Sequence, residues 1–217
     1  MAGIIYVLTN DGMPDLVKIG ITNANDVLQR ITQLSSHSGV PFPFICHFAA
    51  EVEDNSDMER KIHALFSENR VNPKREFFKI APERVVLAIS IAKFKDVTPS
   101  NTVAEKNLDP DDRKSLEAVR ERRPRVNLGA LGIAPGDQLT FSRDDAIVTI
   151  VVPDGKVNFD GEIMSLSAAA LKALNRMGYT TTSASGSEYW MFDGETIDER
   201  RRRLEAEKFD QSSENMN

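Results

Sequence analysis

Apolar and polar positions alternate in short runs along the first hundred residues, and the period of each run predicts its element. Ile4-Ile5-Tyr6-Val7-Leu8 reads as a strand, Asn10-Asp11-Gly12 as a turn, and Leu16-Val17-Lys18-Ile19-Gly20 as the hairpin partner. Helical spacing follows at Val27, Leu28, Ile31 and Leu34, with Asn25 or Asp26 as cap, a stop near Ser38-Gly39, and Arg30 on the other side of the helix. Pro41 to Ala50 is predicted as a strand, and Asn55-Ser56-Asp57 starts a helix through Met58, Ile62, Leu65 and Phe66. Asn72-Pro73-Lys74-Arg75 makes a turn and Glu76 to Ile80 a short strand. Pro82 opens a closing helix carrying Val85, Val86, Ile89 and Ile91. The order is ββαβαβα, an α/β unit over residues 1–97.

From residue 98 to 125 the periodicity fades and Pro99, Pro110 and Pro124 interrupt a charged stretch, which predicts a linker with a short helix over 110–123. Strands are expected at 137–141, 146–152 and 156–159, with Pro153-Asp154-Gly155 as a hairpin turn. Ser167 is expected to cap a helix over 168–177, followed by a strand at 188–192 and a charged helix at 196–207. This second domain spans 126–207, and 208–217 is expected to be a disordered tail.

The formal net charge of −6 argues against the basic excess usual in nucleic-acid binders, but it is unevenly spread. Residues 1–97 hold about 11 basic and 12 acidic side chains and residues 126–217 about 9 and 15. A basic groove is therefore open to the first domain around Lys18, Arg30, Lys61, Arg70, Lys74 and Arg75. No window has the roughly 20 apolar residues of a membrane span, and the first residues lack the basic start and cleavage site of a signal peptide, so no membrane partner and a cytoplasmic location are expected. The single cysteine, Cys46, lies in an apolar run and reads as a small buried hydrophobe.

Phosphodiester hydrolysis needs an activated water, a cation on the non-bridging oxygens and a stabilised leaving group. Tyr6, Lys18, Arg30 and Glu59 sit on elements that a small sheet can gather at one end, although spacing alone leaves each an ordinary packing or surface residue. His63 lies one helical turn beyond Glu59, placed to orient a metal-bound water or donate to phosphate, and reads equally as a helix-face histidine bonded to a neighbour. Glu76 is a lesser acidic candidate; His37 and His47 have no supporting context.

The ordered set Gly3-Ile4-Ile5-Tyr6, Val17-Lys18-Ile19-Gly20, Arg30, Glu59-Arg60-Lys61-Ile62-His63 and Lys74-Arg75-Glu76-Phe77-Phe78 resembles the GIY-YIG nuclease superfamily over residues 3–95, and within it a phage-type branch with Lys-Ile-Gly in place of Tyr-Ile-Gly. The resemblance implies an α+β fold with a central, mainly antiparallel sheet flanked by helices, and a DNA endonuclease. It implies that Tyr6 helps activate water, that Arg30 binds the scissile phosphate, and that Glu59 is the protein ligand of Mg²⁺ or Mn²⁺. Lys18 departs from the superfamily's second tyrosine, which opens its role. Lys74 and Arg75 suit contacts to the DNA backbone.

In the second domain, Leu131-Gly132-Ile133-Ala134-Pro135-Gly136-Asp137, Asp154-Gly155, Ser165-Leu166-Ser167-Ala168-Ala169-Ala170 and Tyr189-Trp190 resemble the RAMA domain, found beside restriction and DNA-modification enzymes. That resemblance implies a small α+β DNA-recognition module, in which Tyr189 and Trp190 stack on a base unless they are core anchors. The arginines at 200–203 spread around one helical turn and have Glu199, Glu205 and Glu207 as partners. The leading expectation is a nuclease directed to DNA, modified DNA included, in restriction or phage defence. An inactive DNA-binding adaptor, and a second domain that binds protein or dimerises, remain as alternatives. One nuclease site cuts one strand, so duplex cleavage requires a homodimer or two nicks.

Overall fold

The computed structural model describes residues 2–23, 27–36, 39–40, 42–99, 126–179, 181 and 184–214, with residues 110, 111, 114, 115 and 118, which are helical. Most of the expected linker helix, His37, and the proposed caps Asn25 and Asp26 lie outside the described residues. The fold is α+β, with two antiparallel sheets in two compact units: residues 1–124 with 180–182, and residues 125–179 with 183–217.

In the first unit β1 (Gly3–Thr9), β2 (Val17–Thr22), β3 (Ile45–Val52), β4 (Phe77–Phe78) and β5 (Lys95–Asp96) form a sheet of order β4-β2-β1-β3-β5. Directly paired residues share a face, so Tyr6 opposite Gly20 and Leu8 opposite Lys18 lie on one side of the hairpin. On that side α1 (Val27–Ser35) buries Val27 and Ile31 against Ile4, Tyr6, Leu8 and Cys46. Ile5, Val7, Ile19 and Phe48 are buried on the other side, where α2 (Asn55–Leu65) and α3 (Pro82–Ser90) bring Ile62, Val85, Val86 and Ile89.

Local chemistry explains where these elements depart from expectation. β3 begins four residues after Pro41, because Pro41 and Pro43 have no N–H to give a ladder. The cap of α2 is Asp54, whose carboxylate accepts from the Asp57 N–H, while Asn55 is buried and donates to the Thr22 carbonyl and Asn23 Oδ1. Ile91 follows the end of α3 and is 85% exposed, since two residues beyond Ile89 it has turned off the buried stripe.

The second unit is a sheet of order β11-β10-β6-β7-β8-β9, with β6 (Gln138–Phe141), β7 (Asp144–Val152), β8 (Lys156–Phe159), β9 (Glu162–Met164), β10 (Trp190–Phe192) and β11 (Glu195–Thr196). Helix α4 (Leu166–Arg176) lays Ala169, Ala170, Ala173 and Leu174 on its inner face, and α5 (Gly186–Tyr189) is a single turn leading into β10. Ser165, not Ser167, caps α4 by accepting from the Ala168 N–H; the Ser167 hydroxyl accepts from Gly186 instead. Helix α6 (Ile197–Glu214) runs through much of the tail expected to fray, in keeping with the high helix propensity of its Glu, Ala, Lys and Gln. No helix among the described residues is long and apolar enough to cross a membrane.

Candidate active site

The β1–β2 hairpin positions the first two groups. β4 pairs with β2 at Val17 and Lys18, and the Ile19 N–H adds a bond to the Glu76 carbonyl; from Gly20 onward the β2 edge has no strand partner among the described residues. Arg30 of α1 lies beside this end of β2, and His63 of α2 bonds the Ile19 carbonyl.

Tyr6 is 1% exposed and its hydroxyl stands over Gly20, where a Cβ would lie 2.7 Å from the Tyr6 oxygen. Gly20 thus makes the space that the phenol fills. The hydroxyl is hydrogen-bonded to Arg30; burial pushes the phenol above its ordinary range and Arg30 pulls it only partly back, so Tyr6 is neutral at physiological pH and keeps a proton to donate. Arg30 also donates to Gln33 Oε1 at 2.7 Å. With Gln29, Gln33, Thr22 and Asn23 it lines an open cleft of about 590 Å³ beside the end of β2.

Lys18 is buried, paired with Glu76 and set 5.6 Å from the centre of the Phe77 ring. Glu59 is half-buried on α2. Burial raises its carboxyl pKa, Glu76 adds to the rise, and Lys18 and Arg70 oppose it. The charges of Glu59 and Glu76 reach Tyr6 as well, so the tyrosine–arginine pair and the carboxylates share one field. His63 donates from Nε2 to the Ile19 carbonyl at 3.3 Å and packs on Phe78 with ring centres 4.9 Å apart. A carbonyl only accepts, so Nε2 carries the proton and Nδ1 is an acceptor. Burial lowers the imidazole pKa and keeps the ring neutral.

The structure therefore gathers Tyr6, Lys18, Arg30, Glu59 and His63, together with Glu76, at one edge. Gly20, from the Lys-Ile-Gly motif, and Arg70, from the basic groove, join them; the close approach of the buried tyrosine to that glycine emerges only from the strand register. Lys74 and Arg75 are exposed on the neighbouring turn. His47, which had no context, forms a buried pair with Glu83 of α3 and belongs to the packing.

Among the described residues no three His, Cys, Asp or Glu side chains form a metal cluster. Glu59 with Glu76 nearby still fits Mg²⁺ or Mn²⁺, since such hard ions are held by one or two carboxylates and keep most of their water. Cys46 is fully buried, which drives its thiol pKa upward and leaves it inert.

In the second unit Tyr189 and Trp190, which the sequence left between base stacking and core anchoring, are core residues. Trp190 is fully buried, meets Phe141 and Phe159 edge-on, and donates its indole N–H to the Leu166 carbonyl at 3.0 Å; Tyr189 stacks on Phe141. A base has no open ring face to reach on Trp190. The arginine run is engaged too: Arg200 binds the Leu131 carbonyl and Glu195, Arg201 and Arg202 pair with Asp198, and Arg203 with Glu195 and Glu207.

No curated protein matches the chain. Residues 3–93, which hold every group of the open-edge site, match the family model described as the T5orf172 domain, a phage-associated, endonuclease-like domain compatible with a nuclease superfamily.

Proposed function

We propose that the protein is a metal-dependent DNA endonuclease of GIY-YIG type, with its active site at the open edge of β2. The observation that carries this reading is a neutral tyrosine bound to an arginine that lines a cleft, with a half-buried glutamate and a neutral histidine within reach of the same Glu76 charge, in a nuclease-like domain.

Each group has a task that its environment suits. Arg30 is tethered by Tyr6 and Gln33 and offers its remaining N–H groups to a phosphate oxygen in the cleft. The Tyr6 proton is available to hold the attacking water or to steady an oxygen that gains charge. Neutral His63 accepts a proton through Nδ1, which suits it to orient or deprotonate that water. Glu59, with Glu76 beside it, would hold Mg²⁺ or Mn²⁺, which supplies charge neutralisation at the phosphate. Lys18, bonded to Glu76, fixes that carboxylate and adds positive potential where the superfamily's second tyrosine stands.

Arg30→Ala tests the assignment. Loss of one contact to developing charge should lower single-turnover cleavage by about 10²–10³-fold. Cleavage at the wild-type rate would remove Arg30 from the site.

For the second unit, targeting of DNA through a RAMA-like module is one reading. Its buried aromatic pair and acid-paired arginines favour a second, in which the unit binds protein or dimerises. The nuclease would then gain a paired site for the second strand by association. Anisotropy titration of the Glu59→Ala protein, with and without residues 126–217, against unmodified, base-modified and single-stranded oligonucleotides separates them: only the targeting reading expects discrimination that depends on the second unit.

A further inference from the structure

The segment before β4 carries a cation that the site has not yet used. Residues 69–71 run antiparallel to 77–79, through the Lys79 N–H to the Asn69 carbonyl at 2.8 Å, the Val71 N–H to the Phe77 carbonyl at 3.0 Å and a bridge between Arg70 and Phe78. The turn of this hairpin presents Lys74 and Arg75. Arg70 lies at its base, with its Nε donating to the Arg75 carbonyl at 2.7 Å and its guanidinium 5.6 Å from the centre of the Phe78 ring.

Phe78 is fully buried and also seats His63, so Arg70 and His63 rest on one ring. The charge of Arg70 is felt at both Glu59 and His63. The other cations of the edge are tied by side chains, Lys18 to Glu76 and Arg30 to Tyr6 and Gln33, with Arg30 keeping N–H groups to spare. Arg70 is held by its Nε and its ring face, while its two terminal amino groups make no hydrogen bond with the described residues. A guanidinium fixed at its stem with its fork free is suited to bidentate capture of a phosphate.

We propose that Arg70 is a second phosphate-binding residue, gripping a non-bridging oxygen of the bound strand from the Glu59 side while Arg30 holds it from the Tyr6 side. This rests on the nuclease reading for its catalytic consequence, although phosphate binding itself does not require cleavage. The hairpin is then a grip: Lys74 and Arg75 at its tip track the backbone, and Arg70 at its base fixes the phosphate at the site.

The test uses the full chain, wild type and Arg70→Gln, Arg70→Lys and Lys95→Gln variants, the last on the far edge strand where Lys95 pairs with Glu51. Affinity for a duplex oligonucleotide is measured without metal over a series of salt concentrations, and single-turnover nicking is measured with Mn²⁺. Arg70→Gln should reduce the slope of log affinity against log salt by about 0.9, one phosphate contact on B-DNA, and slow nicking by about 10²–10³-fold. Arg70→Lys keeps the charge without the fork, so it should restore the slope but only part of the rate; Lys95→Gln should leave the rate unchanged. A role confined to packing on Phe78 predicts the wild-type slope in every folded variant. The wild-type slope in Arg70→Gln, or in Arg70→Lys together with full activity should Arg70→Gln not fold, would overturn the proposal. A reduced slope in a protein that never nicks DNA would uphold Arg70 as a phosphate ligand and reject the nuclease reading instead.

Discussion

Replacing Gly20 with alanine tests the packing that sets the tyrosine. A Cβ at this position would stand 2.7 Å from the Tyr6 hydroxyl oxygen and 2.9 Å from Cζ, against 3.4 Å for an ordinary contact. The phenol must therefore retreat by about 0.7 Å, and its ring, 1% exposed within the cluster of Ile4, Leu8, Val27 and Ile31, has little room to do so. Overpacking of this kind costs about 1–3 kcal/mol. A displacement approaching 1 Å at a reacting group also costs on the order of 10²-fold in rate. Urea denaturation and single-turnover nicking would be measured for Gly20→Ala, Tyr6→Phe and the double variant. Tyr6→Phe removes the closest atom of the clash, so the alanine should cost about 1 kcal/mol less in that background, a coupling of the size seen between touching residues. Strict additivity, or wild-type activity in Gly20→Ala, would refute the argument that Gly20 makes room for a catalytic hydroxyl.

Glu59→Gln should abolish cleavage yet raise stability at pH 7. The folded carboxyl pKa is raised, chiefly by burial, so its ionisation penalises the native state as pH rises through the carboxylate range; removing the charge relieves that penalty, and the advantage should vanish in denaturation runs at low pH, where the carboxyl is protonated in both states. Trp190→Phe removes the indole donation to the Leu166 carbonyl and opens a void, and should cost about 2–4 kcal/mol by urea denaturation; unchanged stability with weakened DNA binding would restore the base-stacking role. Ser165→Ala should cost about 1 kcal/mol as a lost helix cap, and an equal or greater loss in Ser167→Ala would place the cap at the other serine.

What the sequence disclosed and what it hid follow from how local each cause is. The β1–β2 hairpin and the buried stripes of α1 and α3 are written in periodicity, and apart from Ile91 they appear where the pattern places them. β5 is two exposed charged residues paired to β3, so no apolar alternation announces it. β9 is only three residues long, although the Asp160-Gly161 turn after Phe159 was a usable hairpin signal, with both residues at positive φ. Two serines two positions apart at the start of α4 are equivalent as letters; Gly186, pressed against Leu166 and bonding the Ser167 hydroxyl, decides between them. At the site, the residues named from an ordered motif come together, whereas Arg70 depends on a hairpin closing over Phe78. Trp190 illustrates the converse: an aromatic pair reads equally as a ligand surface or a core anchor until the sheet wraps around it.

The central claim is that the open β2 edge cuts DNA with a metal held at Glu59. Supercoiled plasmid incubated with the purified protein and Mg²⁺ or Mn²⁺, alongside the chelated reaction and Glu59→Ala, tests it most directly. Open-circular product should appear with the wild type and metal alone, and be absent with chelator or with Glu59→Ala. An intact plasmid under every condition, or nicking by Glu59→Ala at the wild-type rate, would contradict it.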